Sequence, residues 1–445
     1  MKKSLITFIA IALVSMANAQ DLKNPEANHV LNRFLRYVKI ESQSIDDPDP
    51  ELFTLTEGQK EMANVIFNEL KAIDKDNKTD IKMSPNYYVY VKVPSNMEKE
   101  VPSVMFMAHM DVTPEANAKG ICPQVHYNYD GSDISLGNGL VLSPNNPEGG
   151  HLKDVVGKTI ITTDGNTLLG ADCKAGCTIL VTLIEQMVNN PSFKHGDVYF
   201  TFTQNEEVDK DVMGMDMSYF DRIPDIFIDV DGSYTYQFSV ANFTAEGRSY
   251  LFKGNQVHPA KGKAMKYADA RTAMAYFIGQ LPPAIHPSYS EGRQGYVHCY
   301  NIEFLPNGHD VRIRVRIRYF DKADGERFKA DLDEAYRRTH QAYPFVEIDL
   351  ENDELQYENI AYTMHPQAVG VIQRAAEKTG IPMRGFELRA GTTSASMVAK
   401  GLPGGPCLYG AQQASHSVYE WCCLEEMMEI IRLTSNIVTE VCNLE

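Results

Sequence analysis

After its first twenty residues the chain has no apolar run long enough to cross a bilayer, which takes about 20 such residues, so no second membrane segment is expected. It has no positive excess either. Against 42 Lys and Arg stand 59 Asp and Glu, and a formal charge of -17 repels nucleic acid and anionic membrane surfaces. Cysteine is sparse for an exported chain. The residues at 122, 173, 177, 299, 407, 422, 423 and 442 form neither a zinc-ribbon pair nor a disulfide-dense framework, and adjacent Cys422 and Cys423 read as buried neighbours. Disulfide content stays open. No internal repeat or low-complexity tract stands out, which argues against a solenoid array.

What is present begins with a leader. Lys2-Lys3, the apolar run 5–16 and the small-residue ending Ala17-Asn18-Ala19 have the order of a secretory signal cleaved before Gln20. Taking those 19 residues, with two lysines and no acid, from the 445 leaves 426 and moves the charge from -17 to -19. The mature protein is expected to be exported, periplasmic or secreted, without a membrane anchor. Its length exceeds the ~250–300 residues at which single cores split, so two domains are expected.

Helical spacing marks "NHVLNRFLRYVKI" and "TEGQKEMANVIFNELKAI", the second opening with a Thr-x-x-Gln capping pattern. Strand-like runs follow at "YYVYVKV", "SVMFMAHMDV", "DVYFTFTQ" and "DIFIDVDG", with the helical "GCTILVTLIEQMVNN" between the second and third. This is α/β texture. Near Phe238 it changes: "YLFKGN" and the strictly alternating "HDVRIRVRIRYFD" read as antiparallel strands, with Arg312, Arg314, Arg316 and Arg318 on one face. The helical "AMKYADARTAMAYFIGQL" lies between these strands and "GERFKADLDEAYRRTHQAY" follows them. The expected fold is therefore an α/β domain, 20–241 and 353–445, interrupted by a smaller α+β sandwich at 242–352.

Acidic and imidazole residues recur where the apolar strands end: His109 and Asp111, Glu206 and Glu207, Asp231. Singly each is an ordinary turn residue. Together they match a paired-metal hydrolase, which needs imidazole and carboxylate ligands, one carboxylate shared by two ions ~3.5–4 Å apart, and a free carboxylate as base. Asp172, at a strand-to-helix turn in "LLGADCKAG", can be the shared ligand. His109 and Asp231 then complete one site, and Glu207 with the late His416 completes the other. Asp111 can orient His109. Glu206 is left as the base.

The segments "AHMDVTP", "GKTIITTDGNTLLGADCKAG", "FTQNEEV", "DVDG", "GNQVHPAKGKAM", "RIRYFD" and "SHSVYE" occur in order from about Asn28 to the C-terminus. In these the chain resembles the peptidase T family of tripeptide aminopeptidases, within the two-zinc metallopeptidases that include aminoacylases and glutamate carboxypeptidases. The resemblance implies the same ligand set, His109, Asp172, Glu207, Asp231 and His416, with two zinc ions per chain that cobalt or manganese can replace in vitro. It also implies Glu206 as general base, Asp111 as support, and His258, Arg318 and Arg389 as groups that reach the substrate. The inserted unit becomes a lid or dimerisation domain, which leaves room for a homodimer.

Three departures from the family pattern stand out. Cys173 follows the bridging aspartate where an Asp or Asn joined by a cis bond is usual, and is either a tolerated small replacement or a thiol that modulates the site and is open to oxidation. "LRAGTTSAS" keeps Arg389, Gly391 and Thr392 but has Ala390, Thr393 and Ser394 where Gly, Asp and Gly are usual. Tyr419 stands where a second histidine is often found. The expected activity is release of the N-terminal residue from tripeptides or short peptides by metal-activated water. The alternatives are a dipeptidase or acyl-amino-acid hydrolase on the same machinery, or a non-catalytic peptide-binding relative, against which Glu206 argues.

Overall fold

The computed structural model describes residues 24–47, 49 and 51–444; the expected leader lies outside them. The chain opens with helix α1 (Pro25–Val38), whose Asn24 cap accepts from the N–H groups of Glu26 and Ala27. Helix α2 (Glu57–Ile73) starts in a capping box between Thr56 and Gln59. Among the described residues no helix is long and apolar enough to cross a membrane.

A central sheet is built from β1 (Asp80–Met83), β2 (Val89–Val93), β3 (Val104–His109), β4 (Val198–Thr203), β5 (Ile226–Gly232) and β6 (Gln237–Asn242). The main-sheet strands that come later in sequence are Arg384–Leu388 and Cys407–Tyr409. Strands β4, β3 and β5 are neighbours and run parallel. "VMFMAH" and "VYFTFT" are buried at every position, which is why they read as unbroken apolar runs. Helix α3 (Ala171–Asn189) packs on this sheet, with Ile179 and Leu183 joining Phe106, Phe200 and Phe202 in one core. Gly176 permits that approach: a Cβ there would sit 2.2 Å from the Val230 carbonyl oxygen.

The second unit is a four-stranded antiparallel sheet of β7 (Thr244–Lys253), β8 (Tyr296–Phe304), β9 (Val311–Tyr319) and β10 (Glu347–Tyr357), in the order β8-β9-β7-β10. Helices α4 (Ala270–Gln280) and α5 (Lys322–Ala342) cover one face. Tyr250, Phe252 and the odd-numbered residues of β9 meet Phe277, Phe328 and Leu332 there. The arginines at 312, 314, 316 and 318 take the opposite face. Strand β10 runs to Tyr357, past the boundary expected at 352, because its exposed "ENDELQY" carries no alternating apolar signal.

Two buried asparagines join the units. Asn242 accepts from the Ile360 N–H at 2.7 Å, while Asn359 accepts from the Asn242 N–H at 3.1 Å and donates to the Phe320 carbonyl. The chain thus leaves β6 and enters β7 through a packed joint rather than a loose linker. Helices α6 (Ala368–Thr379) and, at the C-terminal end, Leu424–Val441 complete the outer layer. None of the eight cysteines is bonded to another among the described residues, and Cys422 and Cys423 are buried.

Candidate functional site

Three parallel strands deliver their last residues to one edge of the main sheet. His109 ends β3, Asp231 lies near the end of β5, and Glu206-Glu207 follow β4 after Asn205 turns the chain at φ 59°. Asp172 arrives from the first turn of α3, where Asp172 and Cys173 depart from helical angles and the bond between them is cis. His416 comes from the turn between the short strands Gln412–Gln413 and Trp421–Cys423 of a small separate sheet. Ligand sites at the carboxyl ends of parallel strands follow from this topology.

The side chains form two groups that share one carboxylate. His109 Nε2 is 3.0 Å from Asp172 Oδ1, 3.4 Å from Asp231 Oδ1 and 3.7 Å from Glu206 Oε2. His416 Nε2 is 2.8 Å from Glu207 Oε2 and 3.6 Å from Asp172 Oδ2. Asp172 therefore turns one oxygen toward each group. Glu207 Oε1 is buried and, among the described residues, has no hydrogen-bond partner, a costly state for a carboxylate unless a cation occupies the space it faces.

Four carboxylates, Asp172, Glu206, Glu207 and Asp231, thus converge on two imidazoles. Burial pushes Glu206 well up, and it raises Glu207 to about 7. The hydrogen bond to Glu207 lifts His416 to about 10. Burial alone would lower His109, but the charges of Asp231 and Glu206 hold it well above its usual range. The donor atoms of His109, Asp172 and Glu207 all lie within 4.8 Å of one another, as do those of His109, Cys173 and Asp231. Excess negative charge, imidazoles and an orphaned carboxylate oxygen are what divalent cations would satisfy.

Although Cys173 falls within that second group, its proton is committed: Sγ donates to the Val230 carbonyl oxygen at 3.1 Å. The thiol is fully buried and burial pushes its pKa well up. An accessible thiol of lowered pKa is therefore not what the fold presents, and the side chain acts as a small packing group.

Asp111 does more than the sequence implied. Nδ1 of His109 lies 3.1 Å from the Asp111 carbonyl oxygen and 3.5 Å from its carboxylate. That carboxylate also accepts from the Ser44 hydroxyl and from the N–H groups of Glu206, at 3.3 Å, and Glu207, at 3.2 Å. One buried acid so holds both the imidazole and the glutamate turn.

Sequence reasoning missed two supports. Glu420 accepts from the N–H groups of Leu169, Gly170 and Asp172 at 2.7, 2.7 and 2.9 Å, pinning the loop that aims Asp172. Its place four residues after His416 was the available signal. Thr393 donates from Oγ1 to Glu206 Oε1 at 2.5 Å; the sequence marked it only as a departure from the family pattern and gave it no such role. Tyr419 packs against the cluster around Trp421.

Three expected substrate contacts are not drawn into the cluster. His258 is exposed, and its Nδ1 accepts from the Ala260 N–H. Arg318 donates to the carbonyls of Glu246 and Ile317 and to Gln356. The guanidinium of Arg389 lies over the Phe243 ring and donates to the carbonyls of Ser290, Gly292 and Gln294, so it ties the second unit to the main sheet.

A family model described as Peptidase family M20/M25/M40 matches residues 161–440. Peptidase T of Geobacillus kaustophilus is 33% identical over 414 residues, covering 92% of this chain and 97% of that protein. The fold is shared with the aminopeptidase PepT from Bacillus cereus, at TM-score 0.70 and 18% identity over 93% of this chain and 98% of the other. It is also shared with a dinuclear metal-binding M20 peptidase from Bacillus subtilis, at TM-score 0.58 and 10% identity, covering 94% of this chain and 98% of that one.

Proposed function

We infer the chemistry of this cluster from one premise: the chain belongs to Peptidase family M20/M25/M40. It is a peptide-bond hydrolase of the metallo-aminopeptidase kind, and dinuclear metal binding is a property of its family. The finer reading is an exported zinc enzyme that removes the N-terminal residue from tripeptides and other short peptides. One ion would be held by His109, Asp172 and Asp231, the other by Asp172, Glu207 and His416. The observation that carries this reading is the division of the Asp172 carboxylate, one oxygen toward each imidazole, beside a buried Glu207 oxygen without a partner.

Mixed imidazole and carboxylate donors suit zinc, with cobalt or manganese as substitutes in vitro. When bound, the two cations supply Lewis-acid polarisation of the scissile carbonyl and acidify the attacking water. Glu206 moves the proton. Thr393 engages its Oε1, so Oε2 is the oxygen free to accept from that water and to deliver to the departing amine. Asp111 keeps His109 and the 206–207 turn in register.

Support for export is the basic, apolar and small-residue order of residues 1–19. The test uses the full chain expressed with its leader. Protein recovered from the exported fraction is expected to have an intact mass beginning at Gln20 and, loaded with zinc, to split Leu-Gly-Gly into leucine and Gly-Gly. An uncleaved cytosolic product would overturn export. Release of the C-terminal residue, or hydrolysis of N-acetyl amino acids with tripeptides untouched, would overturn the aminopeptidase reading.

A further inference from the structure

The short hairpin that carries His416 also carries Gln412, a fully buried residue outside the ligand set. Its amide nitrogen donates twice to a single aspartate: to the Asp231 carbonyl oxygen at 2.9 Å and to Asp231 Oδ1 at 3.1 Å. An NH2 group has two hydrogens, and here the main chain and the side chain of one residue take one each. The reverse orientation of the amide would set oxygen against both acceptors. Oε1, the other half of the group, is buried and has no hydrogen-bond partner among the described residues. A methionine or leucine at this position would leave no such acceptor unpaired, so packing alone does not account for a glutamine. Ala411, at φ 64°, and Ala414, at φ 51°, hold left-handed backbone on either side of Gln412–Gln413, a conformation that costs a residue with a Cβ and that gathers at functional sites.

We propose that Gln412 is the positioning residue for Asp231, fixing the rotation of the carboxylate that completes one cation site with His109 and Asp172. The proposal rests on the two-cation reading of the cluster and adds to it the group that aims one ligand. Asp231 needs the restraint, because burial and the charge of Asp172 both act against its charged form and like charges turn a free carboxylate away from its neighbour. A lysine or arginine in place of Gln412 would also donate, but its positive charge would compete with the cation. A neutral amide orients the carboxylate and leaves its whole negative charge for the ion. Two further residues of the same hairpin address the rest of the site: His416 meets Glu207, and Glu420 accepts from the Asp172 N–H. Both cation positions are thus set from one hairpin.

The experiment titrates the metal-free full chain with zinc in competition with a chromophoric chelator, alongside urea unfolding of the metal-free protein. In Gln412→Met, one of the two zinc affinities is expected to fall by about 10–100-fold, the usual effect of losing an outer partner of a ligand, and the other to change much less. The unfolding midpoint is expected to stay near that of the wild type. Asp231→Ala is expected to lose the same ion, and adding Gln412→Met to it to change nothing further, since the amide acts through that carboxylate. Gln412→Asn, whose amide is one methylene too short to reach, is expected to behave as Gln412→Met does, and it carries the test if the methionine variant does not fold. Wild-type affinities in both variants, equal weakening of both ions with a lowered midpoint, or a further loss in the double variant would overturn the positioning role while leaving two-ion binding by the wild type intact. A wild type that takes up fewer than two ions would overturn the two-cation reading and this proposal with it.

Discussion

Thr393 and Glu206 lie 187 positions apart and meet through a single hydrogen bond of 2.5 Å. The hydroxyl engages one carboxylate oxygen and so decides which oxygen is left to work. Thr393→Val keeps the shape and removes the donor, and kcat is expected to fall by roughly 10–100-fold, the usual effect of losing an outer partner of a site, with KM little changed. Thr393→Ser is expected to restore most of the rate. Steady-state kinetics of the two variants check this; a valine variant with wild-type kcat would show that the hydroxyl has no positioning role. The contrast with Glu206 explains what was legible at this scale. A carboxylate at the end of an apolar strand is conspicuous in a sequence, because strand ends collect ligands. A threonine in a distant loop becomes meaningful only when folding carries it there. Glu420 is an intermediate case, close to His416 in the chain yet acting on the N–H groups of residues about 250 positions away.

The central strands buried on both faces were read well, and the exposed edge strands of the second unit were not. β3, β4, β5 and α3 announce themselves because the two central strands are apolar or small at every position before the terminal His109 of β3, and the helix that covers them repeats at helical spacing. β8 and β10 were missed. Both lie at edges of the four-stranded sheet, and their residues face solvent on most positions, so neither alternation nor an apolar run develops. The joint between α3 and β5 gives a test at this scale. A Cβ on Gly176 would come 2.2 Å from the Val230 carbonyl oxygen and 2.6 Å from Cys173 Sγ, so Gly176→Ala must push the first turns of α3 off the sheet. Overpacking of this kind costs about 1–3 kcal/mol, and because Asp172 rides on the same turn, metal affinity is expected to weaken as well. Urea unfolding followed alongside a zinc titration checks both; a wild-type midpoint with wild-type affinity would mean that the helix has slack there.

For the whole molecule, the division into an α/β layer and an inserted antiparallel unit was legible from the change of texture near Phe238. The packed asparagine joint between the units was not, since single asparagines give no pattern. The formal charge of -17 has a local counterpart in the four carboxylates gathered at the strand ends, where they meet only two imidazoles. The central claim is that this gathering binds two cations through a shared Asp172, with Glu206 outside the ligand set. Elemental analysis of the purified chain tests it most directly, read against turnover of Leu-Gly-Gly in the same samples. The wild type is expected to hold about two divalent ions per chain. Asp172→Ala is expected to lose most of both, whereas Glu206→Ala keeps about two and shows no turnover. A Glu206→Ala protein as depleted of metal as Asp172→Ala, or an active wild type that never takes up more than one ion, would contradict the account.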